Sequence, residues 1–76
     1  MYFVYVLRNN ITGELYYGYT NNLDRRLEEH GHHKWDLIYY EAYVAESDAR
    51  EREKKLKQYG QARSHLKNRL RNSLQL

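Results

Sequence analysis

The first twenty residues have one reading, a β-hairpin, and that reading constrains everything that follows. Tyr2 to Arg8 is a run of aromatic and β-branched residues with no helical period, the pattern of a strand. Asn9-Asn10-Ile11-Thr12-Gly13 is turn chemistry, because Asn and Gly tolerate positive φ. Glu14 to Thr20 resumes as a strand. A lone hairpin is marginal in water, so the rest of the chain must add a strand and cover a sheet face.

The later segments suit that task. A helix is expected from Asn21 or Asn22 to His30, with Asn21 as cap, Asp24 at the positive end, and Leu23 and Leu27 as the buried stripe. Gly31-His32-His33-Lys34 breaks it, and residues 35–44 read as a third strand. Ser47 can cap a second helix through about Tyr59, with Gly60 as its stop. A last helix from about Gln61 to Leu74 carries Ala62, Leu66, Leu70 and Leu74 at a spacing of four. The order ββαβαα makes an α+β class domain, a small and mostly antiparallel three-stranded sheet flanked by helices.

The 76 residues form one domain, residues 1–76, of a size that buries only about 60% of the surface its unfolded chain exposes. Any chemistry should therefore sit on an open face or in a shallow groove. Cysteine is absent, which excludes disulfide staples and thiolate chemistry. The apolar start is too short for a signal peptide or a membrane span; a soluble cytoplasmic protein without membrane attachment is expected. Nine tyrosines beside one Phe and one Trp suggest a wet, half-buried sheet face.

Charge is divided unevenly. Residues 1–48 hold four basic side chains against eight acidic ones, a net −4, whereas residues 49–76 hold nine against two, a net +7. Lys54, Lys55, Lys57, Arg63, Lys67, Arg69 and Arg71 could thus track a nucleic-acid backbone, holding phosphates without reading base edges. The ordinary alternative is a solvated helical face. His30, His32 and His33 are close enough in sequence to chelate a metal, although a structural zinc site usually takes four ligands at spread spacings.

Phe3-Val4-Tyr5 on the first strand and Tyr16-Tyr17-Gly18 on the second precede a helix with Arg26 and His30. A later helix carries Asp48-Ala49-Arg50-Glu51-Arg52-Glu53-Lys54-Lys55-Leu56-Lys57. Taken in this order over nearly the whole chain, these segments resemble the GIY-YIG nuclease superfamily, especially its small free-standing bacterial members. Those are similar to the amino-terminal nuclease domain of excision-repair enzymes. The resemblance matches Tyr5 to the last position of the first motif and Tyr16 to the first of the second. It matches Gly18 to the closing glycine, Arg26 to the helix arginine, His30 to a histidine four residues later, and Glu53 to the single metal-binding glutamate. Glu51 is a rival two residues earlier. The first motif departs from Gly-Ile-Tyr, and the link from His30 to Trp35 is shorter than in close relatives.

The resemblance implies a divalent-metal-dependent endonuclease with one Mg²⁺ or Mn²⁺ ion. It also implies a DNA partner, in branched or damaged form if the domain serves repair or recombination. The residue types suit that chemistry. Mg²⁺ keeps several waters and takes as little as one carboxylate, and an arginine fork matches a phosphate. Arg26 and His30, four apart, share one helix face. Tyr5 is assigned the base role and Tyr16 a supporting hydrogen bond, with the reverse order left open; a phenol needs a lowered pKa to serve. Gly18 lets a backbone approach closely. Two other classes compete: a catalytically silent nucleic-acid-binding module, and a basic protein-interaction domain.

Overall fold

The computed structural model describes residues 1–31 and 33–75. Strands β1 (Tyr2–Asn9) and β2 (Leu15–Thr20) form the hairpin, followed by helix α1 (Leu23–His30), strand β3 (Trp35–Tyr43), helices α2 (Glu46–Gln58) and α3 (Gly60–Arg69), and a closing 3₁₀ turn, Ser73–Gln75. The sheet runs β2-β1-β3 with both pairings antiparallel. This is the expected α+β class with the order ββαβαα.

The turn works as its residues suggest. Asn9 Oδ1 accepts from the N–H groups of Ile11 and Thr12 at 2.9 and 3.0 Å, and Gly13 takes a φ of 79° that a side chain would resist. Asn10 reaches out of the hairpin: its N–H donates to the Lys34 carbonyl at 2.8 Å and its Nδ2 to the His33 carbonyl at 2.9 Å. Those two bonds moor the short link after α1 to the hairpin.

Because β1 is central, its side chains are buried on both faces, and Val4, Tyr5, Val6 and Leu7 are all at most 1% exposed. Val4 and Val6 meet Ala49 and Leu56 of α2, Leu66 of α3, and Leu70 beyond it. Burying each of these leucines contributes about 2 kcal/mol. Tyr5 and Leu7 alternate with them and so face the other side, where α1 lies. A bulge between Val6 and Leu7 leaves Ile38 without a partner, since Val6 stands opposite Tyr39 and Leu7 opposite Leu37.

Several boundaries differ from the sequence expectation. Asn22, not Asn21, caps α1 through Oδ1 to the Arg25 N–H at 3.1 Å. Thr20 selects it, since its Oγ1 accepts from the Asn22 N–H and donates to the Asn22 carbonyl. Helix α2 begins at Glu46 with no side-chain cap, so Ser47 is inside it. Gly60 starts α3 and lacks positive φ. The α2 terminus is instead satisfied by Arg63, whose Nη1 donates to the Leu56 and Lys57 carbonyls at 2.8 and 2.9 Å. The last helix stops at Arg69, and Leu74 sits in the 3₁₀ turn.

A half-buried polar knot fastens β3 to α2. The Glu41 carboxylate accepts from Tyr39, from Tyr43, and from two nitrogens of Arg52 at 3.1 to 3.2 Å. Burial opposes charge on Glu41, but the hydrogen bonds from Tyr43, Arg52 and Tyr39 outweigh it and hold its carboxyl below the usual range. The Tyr43 phenol is pushed up to about 12, first by burial and then by Glu41, with Arg52 partly opposing. An unfolded tyrosine titrates near 10.0. The unfolded chain therefore sheds a proton in the window from 10 to 12 that the folded chain keeps. This contribution to stability is whole below the lower value and disappears as pH rises toward the upper one. The urea midpoint should accordingly be lower at about pH 11 than at about pH 8. Tyr43→Phe should flatten that dependence; an unchanged pH profile in the variant would refute the assignment.

Candidate active site

Strand alternation places Tyr5 and Tyr16 on one face of the hairpin. Tyr5 stands opposite Gly18, and Tyr16 opposite Leu7, so the two tyrosines are diagonal neighbours. The Tyr5 ring lies across the β2 backbone where Gly18 has no side chain. A Cβ built there would come within 2.4 Å of Tyr5 Cζ and Oη and 2.9 Å of Tyr16 Cε1. What approaches Gly18 closely is thus an aromatic side chain, where the sequence suggested a backbone.

Helix α1 delivers His30 to this pair. Its Nε2 is 3.1 Å from Tyr5 Oη, with donor and acceptor roles set by the His30 tautomer. The three rings cluster, with centroids 6.1 Å apart for Tyr5 and Tyr16, 4.8 Å for Tyr16 and His30, and 5.9 Å for Tyr5 and His30. Trp35 closes one side, edge-on to Tyr16 at 6.3 Å. Nothing in the sequence marked Trp35; it reads only as the start of a strand.

Charged groups come from two helices. Arg26 sits one turn before His30 on α1, and its Nε is buried with no hydrogen-bond partner among the described residues. The nearest carboxylate oxygen, on Glu29, is 3.8 Å from that nitrogen, beyond hydrogen-bond length. On α2, Glu53 and Lys57 are one turn apart and paired at 3.1 Å, and Lys57 Nζ lies 5.9 Å from the Tyr16 ring centre. Both helices act on Tyr5. Burial chiefly, then Tyr16, raise its pKa well above the ordinary phenol value; Arg26 lowers it, and Glu53 adds a smaller upward push. The Tyr5 phenol is therefore protonated at neutral pH. It is also fully enclosed, at 0% exposure, whereas Tyr16 is 37% exposed.

The basic residues of the second half do not share one face. Lys57 reaches the ring cluster and Lys55 is paired with Glu51. Arg63 is committed to the end of α2. Arg63 and Lys67 also line a cleft of about 530 Å³ beside Tyr17, which alternates with Tyr16 and so opens on the opposite side of the sheet. Burial and Glu41 raise the Tyr39 pKa, and Arg69, again on that side, lies close enough to oppose the rise in small part. Lys54 and Arg71 are exposed. Of the seven, Lys57 is the one shown beside Tyr16.

Glu53 is the carboxylate expected to hold a divalent ion, and among the described residues no three His, Cys, Asp or Glu side chains converge on one metal position. A single carboxylate fits a hard cation that keeps most of its waters. It fits neither a closed zinc site nor a two-metal cluster. His32 lies outside the described residues.

A family model, the GIY-YIG catalytic domain, matches residues 1–68. No curated protein and no solved structure matches the chain. The model spans both tyrosine strands, α1 and α2, which are the elements that meet at the Tyr5–Tyr16–His30 cluster, and on that match the chain belongs to the GIY-YIG family, a nuclease-type domain.

Proposed function

We propose that this domain is an endonuclease that hydrolyses DNA phosphodiester bonds with the help of one Mg²⁺ or Mn²⁺ ion. The observation that carries the reading is the buried Arg26 Nε, a charged donor with no hydrogen-bond partner among the described residues, next to the tyrosine–histidine cluster. An unsatisfied buried donor costs about 1–3 kcal/mol, and an anionic phosphate oxygen would satisfy it with a charge-assisted bond.

Each side chain then has a task. Arg26 holds the phosphate and the charge that builds on its non-bridging oxygens. Glu53 would hold the divalent ion, which when bound supplies Lewis-acid stabilisation of the phosphoryl and leaving oxygens. The base role moves away from Tyr5, because an enclosed, protonated phenol cannot meet a water. His30 takes the proton at Nδ1 while its other ring nitrogen, Nε2, donates to Tyr5 Oη. Tyr5 is thus a positioning residue, and the partly exposed Tyr16 orients the attacking water.

Lys57 adds a phosphate contact beside the cluster. Lys54, Lys55, Arg63, Lys67, Arg69 and Arg71 offer others only to nucleic acid that extends around the domain. Such contacts carry no base-edge information, so little sequence preference follows. Selectivity then comes from branched or damaged structure, consistent with repair or recombination in the cytoplasm.

Labelled linear and branched DNA incubated with Mg²⁺ or Mn²⁺ should be cut, and chelation should stop the reaction. Binding should weaken with salt at a log–log slope of about −0.9 per phosphate neutralised. Salt-sensitive binding without cleavage of any substrate would leave a silent nucleic-acid-binding module. No binding to DNA at all would leave a protein-interaction domain.

A further inference from the structure

The other flank of α1 frames a feature that hydrolysis does not use. Leu23 and Leu27 face Phe3 of β1 and Leu37 and Tyr40 of β3 across a groove of about 480 Å³. Tyr40 is 53% exposed, a large ring left open on a sheet face. Phe3 meets it edge-on, with centroids 6.1 Å apart and planes at 65°, so no ring is stacked parallel against either in this pair. Asn21 and Asn22 form a polar rim at the start of α1. Asn22 spends its Oδ1 on the helix cap, which leaves its side-chain N–H₂ for a partner.

This groove opens on the sheet face that carries Tyr5 and is lined also by Asp24. Tyr40 stands directly opposite Tyr5 in the β1–β3 register, where facing side chains begin about 5 Å apart. Leu23 and Leu27 occupy the helix stripe next to Arg26 and His30, and the same helix therefore faces the phosphate site on one side and the groove on the other. An occupant must be flat and apolar on its faces, polar at its edge, and joined to a phosphate held by Arg26. A nucleobase meets all of these conditions. A base within a duplex does not, because its faces are covered by its neighbours and its edge by its partner.

We infer that this groove holds one unpaired nucleobase beside the scissile phosphate, so that the substrate class is nucleic acid with an unpaired nucleotide at the cut. The inference rests on the nuclease reading and narrows it. Asn21 and Asn22 donate to the base edge, and Tyr40 supplies the stacking face. An aromatic platform of this kind tolerates any base, and amide donors meet acceptor atoms that every base edge carries.

The test is binding in the presence of chelator, so that nothing is cut. The probes are an oligonucleotide carrying an unpaired 2-aminopurine and a fully paired duplex of the same sequence. Wild type should quench the 2-aminopurine emission as it stacks. Tyr40→Ala should bind the unpaired probe roughly tenfold more weakly and abolish the quench, Tyr40→Trp should restore both, and duplex binding should be the same in all three. Equal losses on both probes, or binding and cutting with no quench and no effect of Tyr40→Ala, would overturn the groove assignment alone and leave the groove to an apolar side chain of a protein partner. A wild type that neither binds nor cuts any DNA would overturn the nuclease reading, and this inference with it.

Discussion

Glu53→Ala is expected to remove metal-dependent cleavage, by roughly 10³-fold or more, and to leave the fold standing. The size of the effect follows from its isolation. No cluster of three His, Cys, Asp or Glu side chains forms around it among the described residues, so no ready-made ligand set stands by to take over its role. The small cost in stability follows from its surroundings: its ion partner is Lys57 at 3.1 Å, half exposed, and such pairs contribute about 0–1 kcal/mol. Glu53→Gln keeps the shape and removes the charge, and should be nearly as inactive. Glu51→Ala is the control. That residue is exposed and paired with Lys55 on another side of α2, and its loss should leave the rate unchanged. Single-turnover cleavage across a Mg²⁺ titration separates the two. Near-wild-type cutting by Glu53→Gln, or a large loss in Glu51→Ala, would sink the assignment.

The orientation of α2 separates the two glutamates. The rotation of α2 about its own axis is set by its apolar residues, and Ala49 and Leu56 are both 0% exposed. Glu53 is four residues from the first and three from the second, so it flanks the buried side. Glu51, two residues away, does not. The tyrosines were legible for a similar reason. Period-two alternation fixes which strand residues share a face, and the i,i+4 relation puts Arg26 and His30 together.

What could not be read depended on contacts distant in sequence. The capping residue moved from Asn21 to Asn22 because Thr20 clamps Asn22, and the end of α2 at Gln58 is met by the Arg63 side chain instead of by a glycine turn. Charge counting treated residues 49–76 as one basic surface, yet α2 and α3 wrap the core and send their cations to different sides. The depth of Tyr5 was equally hidden. Sequence places it beside Tyr16, but only the central position of β1 makes one ring inaccessible and leaves the other open.

The second large effect concerns the glycine that lets those rings meet. Gly18→Ala should destabilise the domain by about 3 kcal/mol and break the Tyr5–His30 contact, although Gly→Ala within a strand is ordinarily favourable by roughly 0.4–1 kcal/mol through the unfolded state. The ordinary gain assumes that the new methyl has room. Here the Cβ would lie 2.4 Å from Tyr5 Cζ and Oη, and the Tyr5 ring is enclosed at 0% exposure, so it cannot swing aside. Backbone strain is not the cause, because Gly18 does not have positive φ. The cost is steric and belongs to the pair. Tyr5→Phe keeps the ring carbon that collides, so it should not relieve Gly18→Ala, whereas Tyr5→Leu ends short of that carbon and should recover much of the loss. Urea unfolding of the three single and two double variants beside wild type measures the coupling. A Gly18→Ala protein as stable as wild type, or a penalty undiminished by Tyr5→Leu, would mean that the ring does not lie across β2 and that the cluster is assembled differently.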